Sequence, residues 1–521
     1  MKPPTRLWPL LFVLLALACG EGRYDILIRD GRLLDGSGNP WRYADVAIAG
    51  DRIAHVGDLD GARAETVIDA GGLYVAPGFI DAHSHAGPAL ATAELSHAQP
   101  LLAQGITTVF VNPDGGGPVD LRAQRDSLLR DGLGVNVALL VPHGSVRRAV
   151  VGMDDRAHST EELDSMRALV RAGMEAGAFG LSSGLYYAPG SYAPTEEVIE
   201  LARVAAEFGG AYTSHIRDEA DYNIGLVAAV DEVISIAREA RLPGVVTHIK
   251  ALGPRVWGLS SIVVDHIERA RAGGIEVYAD QYPYTASQTS ITGALVPRWA
   301  LAGGRDSLRR RLESPADRAR MRAEMLENLH RRGGAGRLQF VHYEPDPSAD
   351  GRTLLAVARE RGLEPVDLAL EFLAEGGAGL VSFNMRDEDV ETLMRRSWTM
   401  TASDGGLVPM GRGSPHPRSY GTFPRKIRHY AVERGVVDLA FAVRSMTALP
   451  ASVFRMRDRG VIRPGAMADV VVFDLERLRD TATYEDPHQL AEGMVHVLVN
   501  GTLAVTDGEF TGELAGRVLE R

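Results

Sequence analysis

Val75-Ala-Pro-Gly-Phe-Ile-Asp-Ala-His83-Ser84-His85 is the stretch on which the fold turns. Residues 73–80 form an apolar run that reads as a buried parallel strand, and the histidine pair closes it. Side chains two apart on a strand point the same way, so both imidazoles can converge on one metal ion. At the C-terminal end of a barrel strand, such a pair faces the mouth where barrel active sites are built. Taken alone, the pair also reads as two hydrogen-bonded polar side chains on a loop, so the rest of the chain decides.

Downstream, apolar strand candidates alternate with helical patterns. Strands are expected at 75–80, 107–111, 135–141, 179–182, 211–214, 245–247, 275–279 and 398–401, and helices at 161–176, 195–208, 224–240 and 260–272. Eight strands with intervening helices is the count of an α/β fold closed as a distorted (β/α)8 TIM barrel. Short alternating runs separated by Gly and Asp turns fill residues 24–69, and the same texture returns at 468–473 and 495–501. These runs predict a flanking β-sandwich formed by the N- and C-terminal segments, residues 20–77 and 455–521, around a barrel over 78–454. Residues 288–336 are Arg-rich and helical in texture, and read as an insertion above the barrel mouth, a candidate lid. Residues 379–383 read as an extra short strand.

At 521 residues, 45% hydrophobic and 24% charged, the composition is that of a globular protein large enough for a barrel and an accessory domain. A net charge of -12 with no basic run past the N-terminus argues against a nucleic-acid partner. Lys2 and Arg6 precede an apolar run over residues 7–18 that ends at Cys19. This has the length of a signal peptide rather than a bilayer span, and small residues before the cysteine resemble a lipoprotein signal. The expectation is cleavage of residues 1–19 and membrane association through lipidated Cys19, on the periplasmic side of a bacterial cell envelope; a soluble secreted protein is the alternative. Cys19 is the one cysteine, so disulfides within the monomer and a cysteine nucleophile are excluded.

Polar residues following the strands form the strongest signal. In order they are His83 and His85, Asp114, His143, Tyr187, His215, His248 with Lys250, Asp280 with Tyr284, and Asp404. Each alone has a structural explanation, but their joint placement at strand ends points to a metal centre. Histidines and carboxylates suit a borderline-soft divalent ion such as Zn2+, which lowers the pKa of water toward about 7 and polarises carbonyl groups. Asp404, in Thr401-Ala-Ser-Asp-Gly-Gly at the end of the last strand, is placed to move a proton from water to a leaving amine.

Gly-Phe-Ile-Asp-Ala-His-Ser-His, Gln104-Gly-Ile-Thr-Thr-Val, Gly180-Leu-Ser-Ser-Gly-Leu-Tyr-Tyr-Ala-Pro-Gly, Ser214-His-Ile-Arg, Thr247-His-Ile-Lys, Asp280-Gln-Tyr-Pro-Tyr and Ser403-Asp-Gly together resemble the amidohydrolase superfamily. More narrowly they resemble its D-aminoacylase branch, from about Tyr24 to the C-terminal Gly516-Arg517-Val518-Leu519. The resemblance implies one or two divalent metal ions. It assigns His215 and His248 to the tighter ion, His83 and His85 to the second, and Asp404 to catalysis. It also implies that Tyr187, Lys250, Tyr284 and Ser290 surround the substrate and that Arg418 grips its carboxylate, which suits a guanidinium fork.

The chain departs from the branch at one position. Members carry a metal-ligating cysteine after the second strand, whereas Val111-Asn-Pro-Asp114-Gly-Gly-Gly carries aspartate, a harder ligand that can also bridge two ions. Beyond Lys2 the lysines are Lys250 and Lys426, neither placed to be a carboxylated bridge, so Asp114 is the candidate for that position. The expected activity is metal-dependent hydrolysis of the amide bond of N-acyl-D-amino acids, small-molecule substrates. A dipeptidase or cyclic-amide hydrolase is the alternative within the enzyme class, and a non-catalytic binding lipoprotein the alternative outside it.

Overall fold

Alternating apolar residues at the two chain ends pair with one another in the computed structural model, which describes residues 23–521. From the N-terminal side come β1 (Arg23–Leu33), β2 (Arg42–Ala49), β3 (Arg52–Gly57), β4 (Arg63–Asp69) and β5 (Tyr74–Pro77). The central body then runs through β6 (Phe79–Asp81), β7 (Ile106–Val111), β8 (Asn136–Leu139), β9 (Val141–Pro142), β10 (Gly180–Gly184), β11 (Ala211–His215), β12 (Gly244–Val246) and β13 (Val277–Gln281). An interruption contributes β14 (Ser287–Ser290), β15 (Leu338–His342) and β16 (Gly379–Ser382) before the body resumes with β17 (Thr399–Thr401). The chain ends with β18 (Val470–Phe473), β19 (Met494–Val499), β20 (Thr502–Thr506) and β21 (Glu509–Phe510).

The chain ends form one nine-stranded sheet in the order β21-β20-β19-β18-β5-β1-β2-β3, with β4 alongside β1. The seam is β18 against β5, antiparallel, with Val470 opposite Pro77 and Phe473 opposite Tyr74. All four β18 residues are buried because its two faces serve two cores. Val470 and Val472 join Ile28, Val46 and Ile48 on one side, and Val471 and Phe473 join the large core of the central body on the other.

The central strands are parallel and lie in two hydrogen-bonded arcs, β6-β7-β8 and β9-β10-β11-β12-β13-β17. A single apolar cluster draws Ile80, Phe110, Ala138, Ala211, Val245 and Met400 from these strands and Phe179 from just before β10, with Tyr278 packed against it. Helices cover the outside. That at Thr160–Glu175 starts with a capping box, in which Ser159 Oγ accepts from the Glu162 amide at 3.2 Å and Glu162 accepts from the Ser159 amide at 2.7 Å.

Three sequence expectations need correcting. The run at 75–80 is two strands in two sheets: β5 pairs with β18, while β6 pairs with β7, and Gly78 makes the break. A Cβ on Gly78 would lie 2.2 Å from Thr107 Oγ1, so only glycine lets the chain pass that close. The strand at 135–141 is interrupted at Leu140 into β8 and β9. The insertion is also larger than 288–336. It runs from β14 to β16, pairs these strands in the antiparallel order β14-β16-β15, and encloses its own core of Ile291, Leu295, Met321, Met325, Phe340, Phe372 and Leu380. The extra short strand expected at 379–383 is present as β16 and belongs to that sheet.

Cys19 and the signal segment lie outside the described residues. No helix among the described residues is long and apolar enough to cross a membrane.

Candidate active site

Six of the strand-end residues meet at the C-terminal edge of the parallel strands. His83, His85, Asp114 and Asp404 form one group able to hold a metal ion, and Asp114, His215 and His248 form a second that shares the aspartate. Asp114 lies between all four imidazoles. Its Oδ1 is 3.5 Å from His83 Nε2 and 3.5 Å from His248 Nε2, and its Oδ2 is 3.5 Å from His85 Nε2 and 3.8 Å from His215 Nδ1.

The backbone is shaped to bring these groups together. His83 and His85 do not lie on the strand; they follow β6 in an irregular loop, so their convergence comes from the turn rather than from strand alternation. Asp114 (φ 55°), Asp404 (φ 49°) and His248 (φ 36°) all adopt left-handed conformations, which non-glycine residues hold only where the surroundings enforce them. Gly184 on β10 permits the approach of Asp114, because a Cβ there would lie 2.3 Å from the Asp114 carbonyl oxygen.

The first and last strands of the central body are clasped at this edge. Asp81 is fully buried and accepts hydrogen bonds from the Ser403 amide at 2.8 Å, from the Ser403 hydroxyl, and from the His83 amide at 3.3 Å. The Asp404 amide donates to the His83 carbonyl at 2.9 Å, and the His85 amide to the Gly405 carbonyl at 2.8 Å. Burial pushes the Asp81 carboxyl up to about 6 despite these donors.

His248 is oriented from behind. Its amide donates to Asp280 Oδ1 at 2.6 Å, and its Nδ1 lies 2.8 Å from Lys250 Nζ and 3.0 Å from Glu219 Oε1. Lys250 also donates to Glu219. The Nε2 edge is thereby turned toward Asp114, an arrangement in which outer carboxylates fix a ligand histidine. Burial works against charge on Glu219, but Lys250 and the two histidines hold its carboxyl well below the usual range.

The interior of the cluster favours positive charge. His85 opens onto the cavity, and Asp114 and Asp404 outweigh its partial desolvation and lift its imidazole to about 9. Burial and Lys250 lower His248, while Glu219, Asp404 and Asp114 lift it to about 10. His83 Nε2, Asp114 Oδ1 and His215 Nδ1 are buried with no hydrogen-bond partner, a costly state for polar atoms unless a cation takes their lone pairs. The donor set of four imidazoles and two carboxylates therefore fits a divalent ion such as zinc.

A cavity of about 960 Å³ opens over this cluster. Tyr187, Lys250, Ser290 and Arg418 line it, as the sequence suggests. The Tyr187 ring lies 4.6 Å from that of His215 at a tilt of 53°, with its hydroxyl 3.1 Å from Thr289 Oγ1, and Ser290 sits at the rim capping the Ile291–Leu295 helix. Arg418 is buried and donates to Asp404 Oδ2 at 2.7 Å. Tyr284 is not in this wall; its hydroxyl donates to the Pro417 carbonyl at 3.4 Å, and Tyr282 occupies the wall instead, under the Arg418 guanidinium at 4.7 Å. His143 is also elsewhere, 2.9 Å from Glu197 in a buried cluster completed by Arg147.

Sequence reasoning missed Glu219, Tyr282 and the Asp81–Ser403 clasp. Glu219 had a signal, since it follows His215 by four residues in Ser214-His-Ile-Arg-Asp-Glu219.

A model of the amidohydrolase family matches residues 66–505. The D-aminoacylase of Alcaligenes xylosoxydans xylosoxydans is 37% identical to this chain, over 96% of this chain and 98% of that protein. A solved D-aminoacylase, studied for the role of its binuclear metal center, superposes with a TM-score of 0.82 at 34% identity, covering 96% of this chain and 100% of that one. The N-acyl-D-glutamate deacylase of Bordetella bronchiseptica, solved with zinc and a phosphonate mimic of the tetrahedral intermediate, gives a TM-score of 0.81 at 33% identity over 96% and 100% of the two chains.

Proposed function

This chain belongs to the amidohydrolase family, and we propose that it hydrolyses the amide bond of N-acyl-D-amino acids, releasing a carboxylate and the free amino acid. The observation that carries the reading is Asp114 placed among four histidines beside Asp404, within a chain that aligns over nearly its whole length with such deacylases. The fold reading that goes with it is a distorted (β/α)8 barrel with a β-sandwich. One apolar cluster drawn from the parallel strands and the residues that lead into them supports the barrel, and the Ile53 amide donating to the Ala466 carbonyl at 2.8 Å, which turns β3 back toward β18, supports the sandwich.

His83, His85, Asp114, His215, His248 and Asp404 would hold one or two zinc ions. A divalent ion there supplies polarisation of the acyl carbonyl and acidification of water. Hydrolysis places OH on the acyl carbon and H on the nitrogen as the C–N bond breaks. Asp404 accepts the proton given up by the attacking water and returns it to the leaving nitrogen. Arg418, seated on the Tyr282 face, binds the substrate carboxylate and sets the distance from that anchor to the scissile amide. Tyr187, with the water-excluding wall it forms over His215, is positioned to donate to the oxygen that gains charge.

The reading extends to location. The Lys2–Cys19 sequence supports lipidation of Cys19 and a tether on the periplasmic side of the envelope.

The experiment is steady-state hydrolysis of a panel of N-acetyl-D- and N-acetyl-L-amino acids, dipeptides and hydantoins by the zinc-loaded protein. Turnover of the N-acetyl-D-amino acids above the other classes is the expected result. Turnover of hydantoins or dipeptides in preference would replace the reading.

A further inference from the structure

Arg332 is a buried guanidinium without a counter-ion. It is 2% exposed, follows the Pro315–Arg331 helix of the insertion, and lines the same cavity as the metal cluster. Its Nε donates to the Ala294 carbonyl at 3.0 Å and its Nη1 to Ser382 Oγ at 3.2 Å, and Tyr186 offers a further side-chain hydrogen bond. All these partners are neutral, and Arg332 makes no ion pair among the described residues. Its neighbours are different. Arg331 lies 3.5 Å from Asp221 and 3.6 Å from Glu327, and Arg418 is paired with Asp404.

A guanidinium keeps its charge in a protein, so burying one without an anion is unfavourable unless an anion arrives. A second group lies next to it. The Arg332 guanidinium is 5.8 Å from the centre of the Tyr222 ring, and the Tyr222 hydroxyl is buried with Arg332 itself as its side-chain hydrogen-bonding neighbour and no acceptor for its own proton. Both residues belong to the cavity wall. A carboxylate is the acceptor that suits a guanidinium and a phenol together, because it offers several lone pairs in one plane.

The position is within reach of the reacting centre yet separate from it. The Tyr222 ring is 5.7 Å from that of Tyr186, which in turn is 5.6 Å from that of His215. Ser382, the Arg332 partner, pairs in register with Ser287, which also lines the cavity. Arg418 lies at the Asp404 side of the same space, so the two guanidinium groups come from different structural units, one from the central body and one from the insertion.

We propose that Arg332, assisted by Tyr222, is a specificity-determining residue that binds a second carboxylate on the substrate, so that this enzyme prefers dianionic N-acyl-D-amino acids. This inference rests on the deacylase reading and deepens it. The second carboxylate can come from the amino-acid side chain, as in an N-acyl-D-glutamate, or from a dicarboxylic acyl group, as in an N-succinyl amino acid. A neutral substrate in the same place would leave Arg332 buried and unpaired.

The test compares kcat/KM of the zinc-loaded protein for N-acetyl-D-glutamate, N-succinyl-D-leucine and N-acetyl-D-leucine, in the wild type and in Arg332→Met, Arg332→Lys and Tyr222→Phe. One dianionic substrate is expected to exceed N-acetyl-D-leucine by at least about tenfold, and which one it is identifies the source of the carboxylate. Arg332→Met is expected to lower kcat/KM for that substrate about 100-fold, chiefly through KM, while N-acetyl-D-leucine changes by no more than about threefold. Arg332→Lys should recover part of the loss. If Arg332→Met fails to fold, Tyr222→Phe carries the comparison, with a selective loss of about threefold or more for the dianion. A wild type that prefers N-acetyl-D-leucine, or variants that lower all substrates in parallel, would overturn the inference while leaving the deacylase reading standing. A zinc-loaded wild type inactive on all three would overturn both.

Discussion

Arg418 donates to Asp404 Oδ2 at 2.7 Å, so the residue proposed to recognise the substrate is charge-paired with the residue proposed to move the proton. The opposite Asp404 oxygen faces His85 Nε2 at 3.1 Å and His83 Nε2 at 3.5 Å. Burial would raise the Asp404 carboxyl, but Arg418 and the histidines hold it far below the usual range, so it is ionised while these partners surround it. A single carboxylate thereby links the histidine cluster to Arg418, the proposed substrate anchor.

Asp404→Asn keeps the shape and removes the proposed proton acceptor. It should lower kcat by about 10³-fold, within the range for loss of a general acid–base. Zinc content measured on the same sample should stay close to that of the wild type, since His83, His85 and Asp114 remain. Wild-type turnover in this variant would remove Asp404 from the mechanism.

Arg418→Met should act mainly on KM, with kcat/KM falling about 100-fold for substrates with a free α-carboxylate. Amide analogues of the same substrates, which lack that charge, should lose much less. Equal losses on both would mean that Arg418 serves Asp404 alone.

Asp114 is the residue shared by both candidate metal groups, so its loss disrupts both at once. Asp114→Ala is expected to bind less than half the zinc of the wild type, by elemental analysis after dialysis, and to be inactive. Full metal content with full activity would show that the histidines and Asp404 suffice.

Stability at low pH is predicted to depend on a buried cluster behind the cavity wall. Glu197 is buried between His143, at 2.9 Å, and Arg147, whose charges outweigh burial and hold its carboxyl below its ordinary value of 4.5. Because the folded value is depressed, this contribution is present above pH 4.5 and is lost as pH falls below it. Glu197→Gln leaves Arg147 buried and unpaired and should cost about 3–5 kcal/mol at neutral pH. In urea titrations, the gap between wild type and variant should narrow as pH falls below 4.5. A gap that stays constant down to pH 3 would place the acid sensitivity elsewhere.

The site was more legible in the sequence than the insertion. His83, His85, Asp114, His215, His248 and Asp404 come together as read because each ends or follows a short buried strand, and strand ends bring distant residues together. The helix at Ser260–Ala272 is where its apolar pattern places it. The break at Gly78 was hidden, because two buried strands in succession look like one apolar run. The insertion was underestimated because β15 and β16 pair with each other and with β14 across long separations, which local pattern does not reveal. Tyr284 and Tyr282 illustrate the limit at a single residue. Both follow Asp280 closely, and which one faces the cavity depends on the turn after β13 rather than on composition.

The measurement that bears most directly on the account is a titration of zinc into chelator-treated protein, following hydrolysis of N-acetyl-D-glutamate and bound metal together. The account predicts negligible turnover without metal and a rate that rises with the first equivalents bound to the Asp114-centred cluster. Undiminished hydrolysis by protein shown to be free of metal would contradict it.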